Sequence, residues 1–346
     1  MVRPTLGISA GDPAGIGPEI CVKVLARPEI YQWCIPVLYA DRQVLKDALA
    51  LTGNDLSLRP VKDPRDAAGT WGTIDFVDAG VIDGEGQYAY GAVGAKSGEA
   101  AFQYVVQAVK DALAGFSAGV VTGPISKEAI NLAGRHYAGH TEIFAEYTGA
   151  RNYGMLLSGG GLNVIHVTTH VSLRQACDLI TRDRVLSAIR LADLALRLMG
   201  SERRRIAVAA LNPHASEHGL FGDEEERSII PAIRDASIQG LDVTGPLPPD
   251  TVFVRALGGE FDVVAAMYHD QGHIPLKLRG FSLDAGRPSR ISGVNTTIGL
   301  PIIRTSVDHG TAFDKAGKNL ANEESLVDAV KMAVTFAQNR ERLSQP

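Results

Sequence analysis

Residues 5–20 read TLGISAGDPAGIGPEI. A short apolar run leads into a turn crowded with Gly and Pro. Pro18 then suits the first turn of a helix, where its missing N–H is not needed. The order strand, tight turn, helix recurs along the chain. Strands are expected at Thr5–Ser9, Ile35–Tyr39, Ile74–Val77, Gly119–Thr122, Asn163–Val167, Ile206–Leu211 and Val263–Met267. Helices are expected over Ala95–Leu113, Leu173–Leu198, Glu224–Gln239 and Glu324–Gln338, where apolar residues return every three or four positions. This alternation defines an α/β protein with a largely parallel sheet covered on both faces. The turn GDPAGIG is neither G-x-G-x-x-G nor G-x-x-x-x-G-K-[ST], so neither phosphate-binding fingerprint is present.

The chain has 346 residues, enough for two domains or one large α/β domain. Hydrophobic residues make up 45% and charged residues 21%, which excludes wholesale disorder. Lys and Arg number 34 against 39 Asp and Glu, giving a net charge of -5. That balance argues against nucleic-acid and anionic-membrane binding. Cys21, Cys34 and Cys177 form no C-x-x-C, so a disulfide framework and a cysteine zinc site are both disfavoured. No run approaches the ~18 apolar residues of a membrane span, and no signal-peptide segment precedes the first Gly/Pro cluster. A cytoplasmic protein with no membrane or nucleic-acid partner is expected.

Three of the nine histidines follow strand candidates: His170 ends HVTTH, His214 ends LNPH and His269 ends MYH. Ligands of open α/β sheets gather at the carboxyl ends of strands. Three imidazoles plus an open position form a catalytic pattern for zinc-like ions. Each histidine taken singly is more often a hydrogen-bonded structural residue, and it is the triple recurrence that raises the metal reading. GHTE (139–142) sets an imidazole and a hydroxyl at a helix start, where backbone N–H groups favour an anion; Thr141 as a simple N-cap is the bland alternative. In YHDQGHIPLK, Asp270 adjoins His269 and Lys277 follows, a set suited to proton transfer beside a metal. Asp250 in PPDTVF suits a helix start. IRTSVDHGTAFDKAGK gathers Arg304, Asp308, His309 and Asp314 in what reads as a polar loop. Arg203–Arg205 and Asp223–Arg227 read as solvated helix surfaces.

The segments GDPAGIGPEI, VTGPISKEAI, GHTE, VTTH with SLR, LNPHASEHGLFGDEE, GPLPPDTVF, YHDQGHIPLK and GLPIIRTSVDHGTAFDKAGK occur in this order. Together they resemble the 4-hydroxythreonine-4-phosphate dehydrogenase family of pyridoxal phosphate biosynthesis. The resemblance implies an α/β fold like isocitrate and isopropylmalate dehydrogenases: two α/β domains with a central cleft, in a homodimer with shared active sites. Approximate domains are 1–135 with 300–346, bearing the cofactor loop, and 136–299, bearing metal and dimer contacts. HGTAFDKAGK is similar to the adenine-side loop of isopropylmalate dehydrogenases. This implies contact of His309, Gly310, Ala312 and Asp314 with NAD or NADP. The implied metal ligands are His170, His214 and His269, drawn from both subunits. Zn2+ is the first choice of divalent ion, with Mg2+, Co2+ or Mn2+ as others. Implied substrate contacts are His140, Thr141, Lys277, Asn295 and Arg304. Lys277, Asp250 and Asp270 are the catalytic candidates.

The implied reaction is metal-dependent oxidation and decarboxylation of a four-carbon 3-hydroxy acid 4-phosphate, of the 4-hydroxythreonine-4-phosphate type. The stretch SLDAGRPSRISG (282–293) looks longer than the connection in the biosynthetic enzymes. A tolerated surface insertion is the bland reading; the sharper one is altered substrate choice, since with QGHIPLKLRGF the stretch resembles a branch acting on D-threonate or D-erythronate 4-phosphate. A third branch oxidises aromatic dihydrodiols without phosphate, and retention of GHTE and IRTSVDHG argues against it. A non-catalytic metal- and nucleotide-binding protein is disfavoured by the presence of every implied ligand, and an unrelated metal-dependent hydrolase by the HGTAFDKAGK loop.

Overall fold

The computed structural model describes residues 3–284, 287–291 and 293–343, in two compact units, 1–151 with 300–346 and 152–299. The first unit contains β1 (Thr5–Ser9), α1 (Gly17–Leu25), α2 (Pro28–Trp33), β2 (Ile35–Ala40), α3 (Arg42–Thr52), β3 (Ser57–Pro60), β4 (Thr73–Asp78), α4 (Ala95–Leu113), β5 (Gly119–Thr122), α5 (Lys127–Leu132) and α6 (His140–Thr148). The returning chain adds β14 (Ile303–Val307) and α12 (Glu324–Leu343). Its strands lie in the order β3-β4-β2-β1-β5-β14, and every pairing is parallel. Strands β1, β5 and β14 are buried almost throughout, as a parallel sheet covered on both faces requires. Helix α4 spans the expected Ala95–Leu113 and buries Phe102, Tyr104, Val105 and Val109.

The second unit contains β6 (Gly154–Gly159), β7 (Leu162–His166), α7 (Leu173–Leu179), α8 (Arg182–Met199), β8 (Ile206–Ala209), α9 (Ile230–Ile238), β9 (Val243–Leu247), α10 (Pro249–Leu257), β10 (Val263–Ala266), α11 (His269–Gly280), β11 (Phe281–Asp284), β12 (Arg287–Ile291) and β13 (Val294–Ile298). The order β13-β6-β7-β10-β8-β9 is mixed: β13-β6 and β6-β7 are antiparallel and the rest parallel. Its core includes Leu157, Val164, Phe253, Val264 and Leu276.

Several expectations need correction. The single helix over Leu173–Leu198 is two helices, because Ser172 and Thr181 each cap a new start by accepting from the N–H of Gln175 and Arg184. The polar stretch around Arg304 is not a loop at first but the buried strand β14. Arg203–Arg205 precede β8 outside any helix, with Arg205 paired to Asp262. Glu225, expected on a solvated surface, is fully buried. The helix around it begins as a wide π-turn over Glu225–Ile229 before α9. Pro231 in the first turn of α9 removes one backbone donor, which the widened turn accommodates.

The segment 136–148 falls in the first unit, since Arg135 pairs with Glu99 and both Tyr137 and Tyr147 pack on Phe102, all against α4. The expected long loop over 282–293 is, where described, an antiparallel ribbon of β11 and β12; residues 285, 286 and 292 lie outside the described residues.

Candidate active site

In the first unit the loops after β1, β5 and β14 meet at the carboxyl edge of the sheet. The Asp12 N–H donates to the Pro124 carbonyl at 2.9 Å and the Ile16 N–H to the Thr311 carbonyl at 3.0 Å. GDPAGIG is thus wedged between VTGP and HGTAFD. A Cβ on Gly17 would stand 2.1 Å from the Ala10 carbonyl oxygen, so only glycine fits there. The sequence reading of Pro18 as a helix-start residue holds. In HGTAFD, His309 donates from Nδ1 to the Gly310 carbonyl at 3.1 Å, and burial lowers its pKa. Ala312 is left-handed at φ 43°, and Asp314 is exposed. A Cβ on Gly310 would meet nothing, so this rim is open to a ligand.

Earlier in the same segment, Arg304 is buried in β14. Its Nη2 donates to Thr122 Oγ1 at 3.1 Å, and its guanidinium lies 5.7 Å from the Phe144 ring. Burial pushes its pKa down to about 10, opposed by the charge of Glu142. His140 opens α6, with Thr141 beside it. Burial, and then the charge of Arg304, hold the imidazole well below its usual range, so it is neutral at pH 7. Its Nε2 is buried without a hydrogen-bond partner. A buried guanidinium and an unsatisfied imidazole nitrogen, beside the positive end of a nine-residue helix, form a corner suited to an anion.

In the second unit, β7 and β10 stay paired beyond their ends: the Thr168 N–H and Oγ1 both donate to the Met267 carbonyl. This brings His170 and His269 together, their ring centroids 5.7 Å apart. Both line a cavity of about 290 Å³ that also touches Tyr268 and Asp270. His269 donates from Nδ1 to Asp270 Oδ1 at 2.7 Å, and that bond lowers the carboxyl pKa. The proton is therefore assigned to Nδ1 and the Nε2 lone pair is left for a ligand, the arrangement a metal-binding histidine needs.

Sequence reasoning missed the residues behind this pair. His273 donates from Nδ1 to the His269 carbonyl at 2.9 Å and stacks on the His269 ring, centroids 3.6 Å apart. His166, fully buried, lies 4.8 Å from the His273 ring. Burial pushes His166 down to about 3 and His273 to about 4, so both are neutral. Their signal was the repeated i,i+4 spacing, His166 to His170 and His269 to His273. Gln271 was missed too: its Oε1 accepts from the Met267 N–H, while its Nε2 donates to the Ala210 carbonyl. It ties the ends of β10 and β8 to the start of α11.

Gly272 marks how closely these pieces pack. A Cβ there would lie 2.4 Å from His166 Nε2 and 2.7 Å from Val164 Cγ1. Gly to Ala inside a helix ordinarily stabilises by up to ~1 kcal/mol. Here overlap with a buried ring reverses the sign, and G272A is expected to destabilise by about 1–3 kcal/mol. Chemical denaturation reads this directly, and an unchanged or higher midpoint would refute it.

His214 stands apart. It sits on the exposed part of a turn after β8 in which residues 214–218 have φ of 54°, 54°, 65°, 48° and 59°. Five successive non-glycine residues in the left-handed region cost roughly 1–2 kcal/mol each. Such strain gathers at functional sites. Among the described residues, no three His, Cys, Asp or Glu side chains of one chain converge to hold a metal. Of the three expected imidazoles, His170 and His269 come together within one chain and His214 does not join them. The donor chemistry of both rings, and the tautomer of His269, suit a divalent ion at that pair.

The remaining candidates scatter within the second unit. Lys277 is exposed on α11, two turns from His269 on the same face. Asn295 lies on β13 with Nδ2 3.3 Å from Met155 Sδ. Asp250 is exposed in the first turn of α10, where a carboxylate suits the helix dipole.

Two α/β units, one with a corner suited to an anion and one with a histidine pair beside a cavity, suit an enzyme, and comparison defines its class: a dehydrogenase acting on a hydroxyl group. The family model described as pyridoxal phosphate biosynthetic protein PdxA matches residues 32–333, and the chain belongs to that family. A D-threonate 4-phosphate dehydrogenase of Salmonella typhimurium is 45% identical over 97% of this chain and 100% of that protein. A crystal structure named 4-hydroxythreonine-4-phosphate dehydrogenase, from Klebsiella pneumoniae, matches 97% of this chain and 100% of that one at 44% identity and a TM-score of 0.85. A terephthalate 1,2-cis-dihydrodiol dehydrogenase from Burkholderia xenovorans matches 96% of this chain and 98% of that one at 34% identity and 0.68. Among the described residues no helix is long and apolar enough to cross a membrane.

Proposed function

We propose that the protein oxidises and decarboxylates a four-carbon 3-hydroxy acid 4-phosphate with NAD(P)+, and that its substrate is D-threonate 4-phosphate or the erythronate epimer. The observation that supports the choice is that relatives 45–47% identical over 97% of this chain share a name for D-threonate 4-phosphate. The anion corner at Arg304 and His140 favours a phosphorylated substrate over a dihydrodiol.

His170 and His269 would hold a divalent ion, Zn2+ first by donor type, with His214 supplied by a second copy in a homodimer. Exposed Leu220, Phe221, Ile274 and Leu278, near His214 and on α11, give such a copy apolar surface to cover. When bound, the ion would supply Lewis acidity that lowers the pKa of the substrate hydroxyl and draws off electrons during decarboxylation, and a nicotinamide would supply the hydride acceptor. Arg304, His140 and Thr141 grip the phosphate and orient the chain. Asn295 offers an amide to the substrate. Lys277 meets developing negative charge and returns a proton to the carbon that loses CO2. Asp270 keeps the His269 proton on Nδ1; Asp250 would act only indirectly from its helix start. His309, Gly310, Ala312 and Asp314 would hold the dinucleotide.

The balance is simple. C3 loses hydride and its hydroxyl loses a proton; the β-keto acid then loses CO2 and gains a proton, leaving dihydroxyacetone phosphate. NADH formation should be followed with D-threonate, D-erythronate and hydroxythreonine 4-phosphates, with Zn2+ and after chelation. A higher kcat/KM for the sugar acids, with triose phosphate as product, is the expected result. Preference for the amino acid would move the protein to vitamin B6 synthesis, and full activity after thorough chelation would remove the metal from the mechanism.

A further inference from the structure

We infer that Glu225 is a positioning residue: its buried carboxylate fixes the entry of the left-handed turn and thereby the direction in which His214 is offered. The inference rests on the metal-dependent reading above. A run of left-handed residues persists only when its surroundings over-determine it, and the hydrogen bonds at its two ends identify what does so.

At the entry, Glu225 Oε1 accepts from both the Leu211 and the Asn212 N–H, each at 2.8 Å. Its other oxygen accepts from Asn212 Nδ2 at 2.8 Å, and that same amide donates to Glu224 Oε2 at 2.8 Å. A fully buried carboxylate thus replaces the strand partners that the chain loses as it leaves β8. The π-turn at Glu225–Ile229 brings this side chain under the loop. At the exit, buried Ser216 accepts the Gly219 N–H at Oγ and the Phe221 N–H at its carbonyl. Between the two anchors His214 has its backbone held while its ring stays exposed, 6.1 Å from the Phe221 ring. A loop built only for stability would not meet the cost of five left-handed residues to keep an imidazole in solvent.

The test compares full-length wild type, E225Q, E225A and the exposed-site control E226A. In E225Q one oxygen still accepts both backbone N–H groups, but the new NH2 faces the Asn212 amide, donor against donor. This variant keeps the fold if E225A does not. Hydrogen exchange of the amides from 211 to 221 in metal-free protein should accelerate at least about tenfold in E225Q, with the rest of the chain unmoved. Zn2+ affinity by chelator competition should fall about 10–100-fold, as for other groups that orient metal ligands. The absorption spectrum of the Co2+-loaded protein should shift, kcat should drop and KM for NAD(P)+ should hold; E226A should match wild type throughout. Unchanged exchange at 211–221 would overturn the inference, as would faster exchange with unchanged kcat and metal affinity. A wild type that binds no metal yet turns over fully would instead remove the metal reading, and the clamp would then stand or fall on exchange and kcat alone.

Discussion

H269A is expected to lose bound metal and to lower kcat/KM by roughly a thousandfold or more, because a metal in this role supplies several kcal/mol to the transition state. The substitution removes the imidazole that faces the second unit's cavity and the ring stacked on His273. D270N is the sharper companion. Its carbonyl oxygen still accepts from His269 Nδ1 but no longer carries charge, so a loss of about 10–100-fold in metal affinity is expected. Asp270 is largely exposed, which favours the smaller end of that range. Chelation of wild type should reproduce the H269A rate, and chelation of H269A should change nothing further. Metal content per chain and kcat/KM, measured on the same samples, decide the matter. H269A with full metal content and full rate would exclude the imidazole as ligand.

The parts of this molecule that were legible in sequence are those where local pattern and tertiary role agree. Thr5–Ser9 and Gly119–Thr122 read as buried strands because every residue is small, apolar or β-branched, and Ala95–Leu113 as a helix because its apolar stripe runs unbroken. β14 was illegible because Arg304, Thr305 and Ser306 are polar yet buried in a paired strand, their side chains met by hydrogen bonds such as Arg304 to Thr122 and Thr305 to the Ala329 carbonyl rather than by apolar packing. The helix after Val171 was read too long because Thr181 looks like an interior residue until its side chain is seen capping Arg184. Glu225 was misread for the opposite reason: a run of charges predicts solvent, and nothing local says that the third of them turns inward to two backbone donors. The post-strand histidines were visible as a set of three, whereas the split into a close pair and a separate, strained His214 depends on how strand ends continue, which periodicity does not encode.

R304M is expected to separate affinity from stability. A buried guanidinium makes charge-assisted hydrogen bonds worth about 1.5–3 kcal/mol each. Two lost contacts to a phosphate should therefore raise KM for the phosphorylated substrate by about 100-fold or more. Binding energy at the phosphate is spent on orienting the distant reacting carbon, so kcat should fall as well. KM for NAD(P)+ should hold, because the HGTAFD loop lies beyond the end of β14. The stability effect has the other sign. Burial depresses the Arg304 pKa from its usual value to about 10, which corresponds to roughly 3 kcal/mol of incompletely offset charge burial. The guanidinium is charged in folded and unfolded chain alike at every pH below about 10, so the penalty is present in neutral solution and fades only as Arg304 loses its proton. Methionine removes that burden and packs against Phe144, so the unliganded protein should melt no lower than wild type. Inorganic phosphate should raise the wild-type midpoint, as any ligand of the native state must, and leave R304M unmoved. R304K keeps the charge without the planar fork and should fall between the two. Thermal melts with and without phosphate, alongside steady-state kinetics, give both readings from one preparation. An R304M protein with wild-type KM, or one that phosphate still stabilises, would show that the anion binds elsewhere.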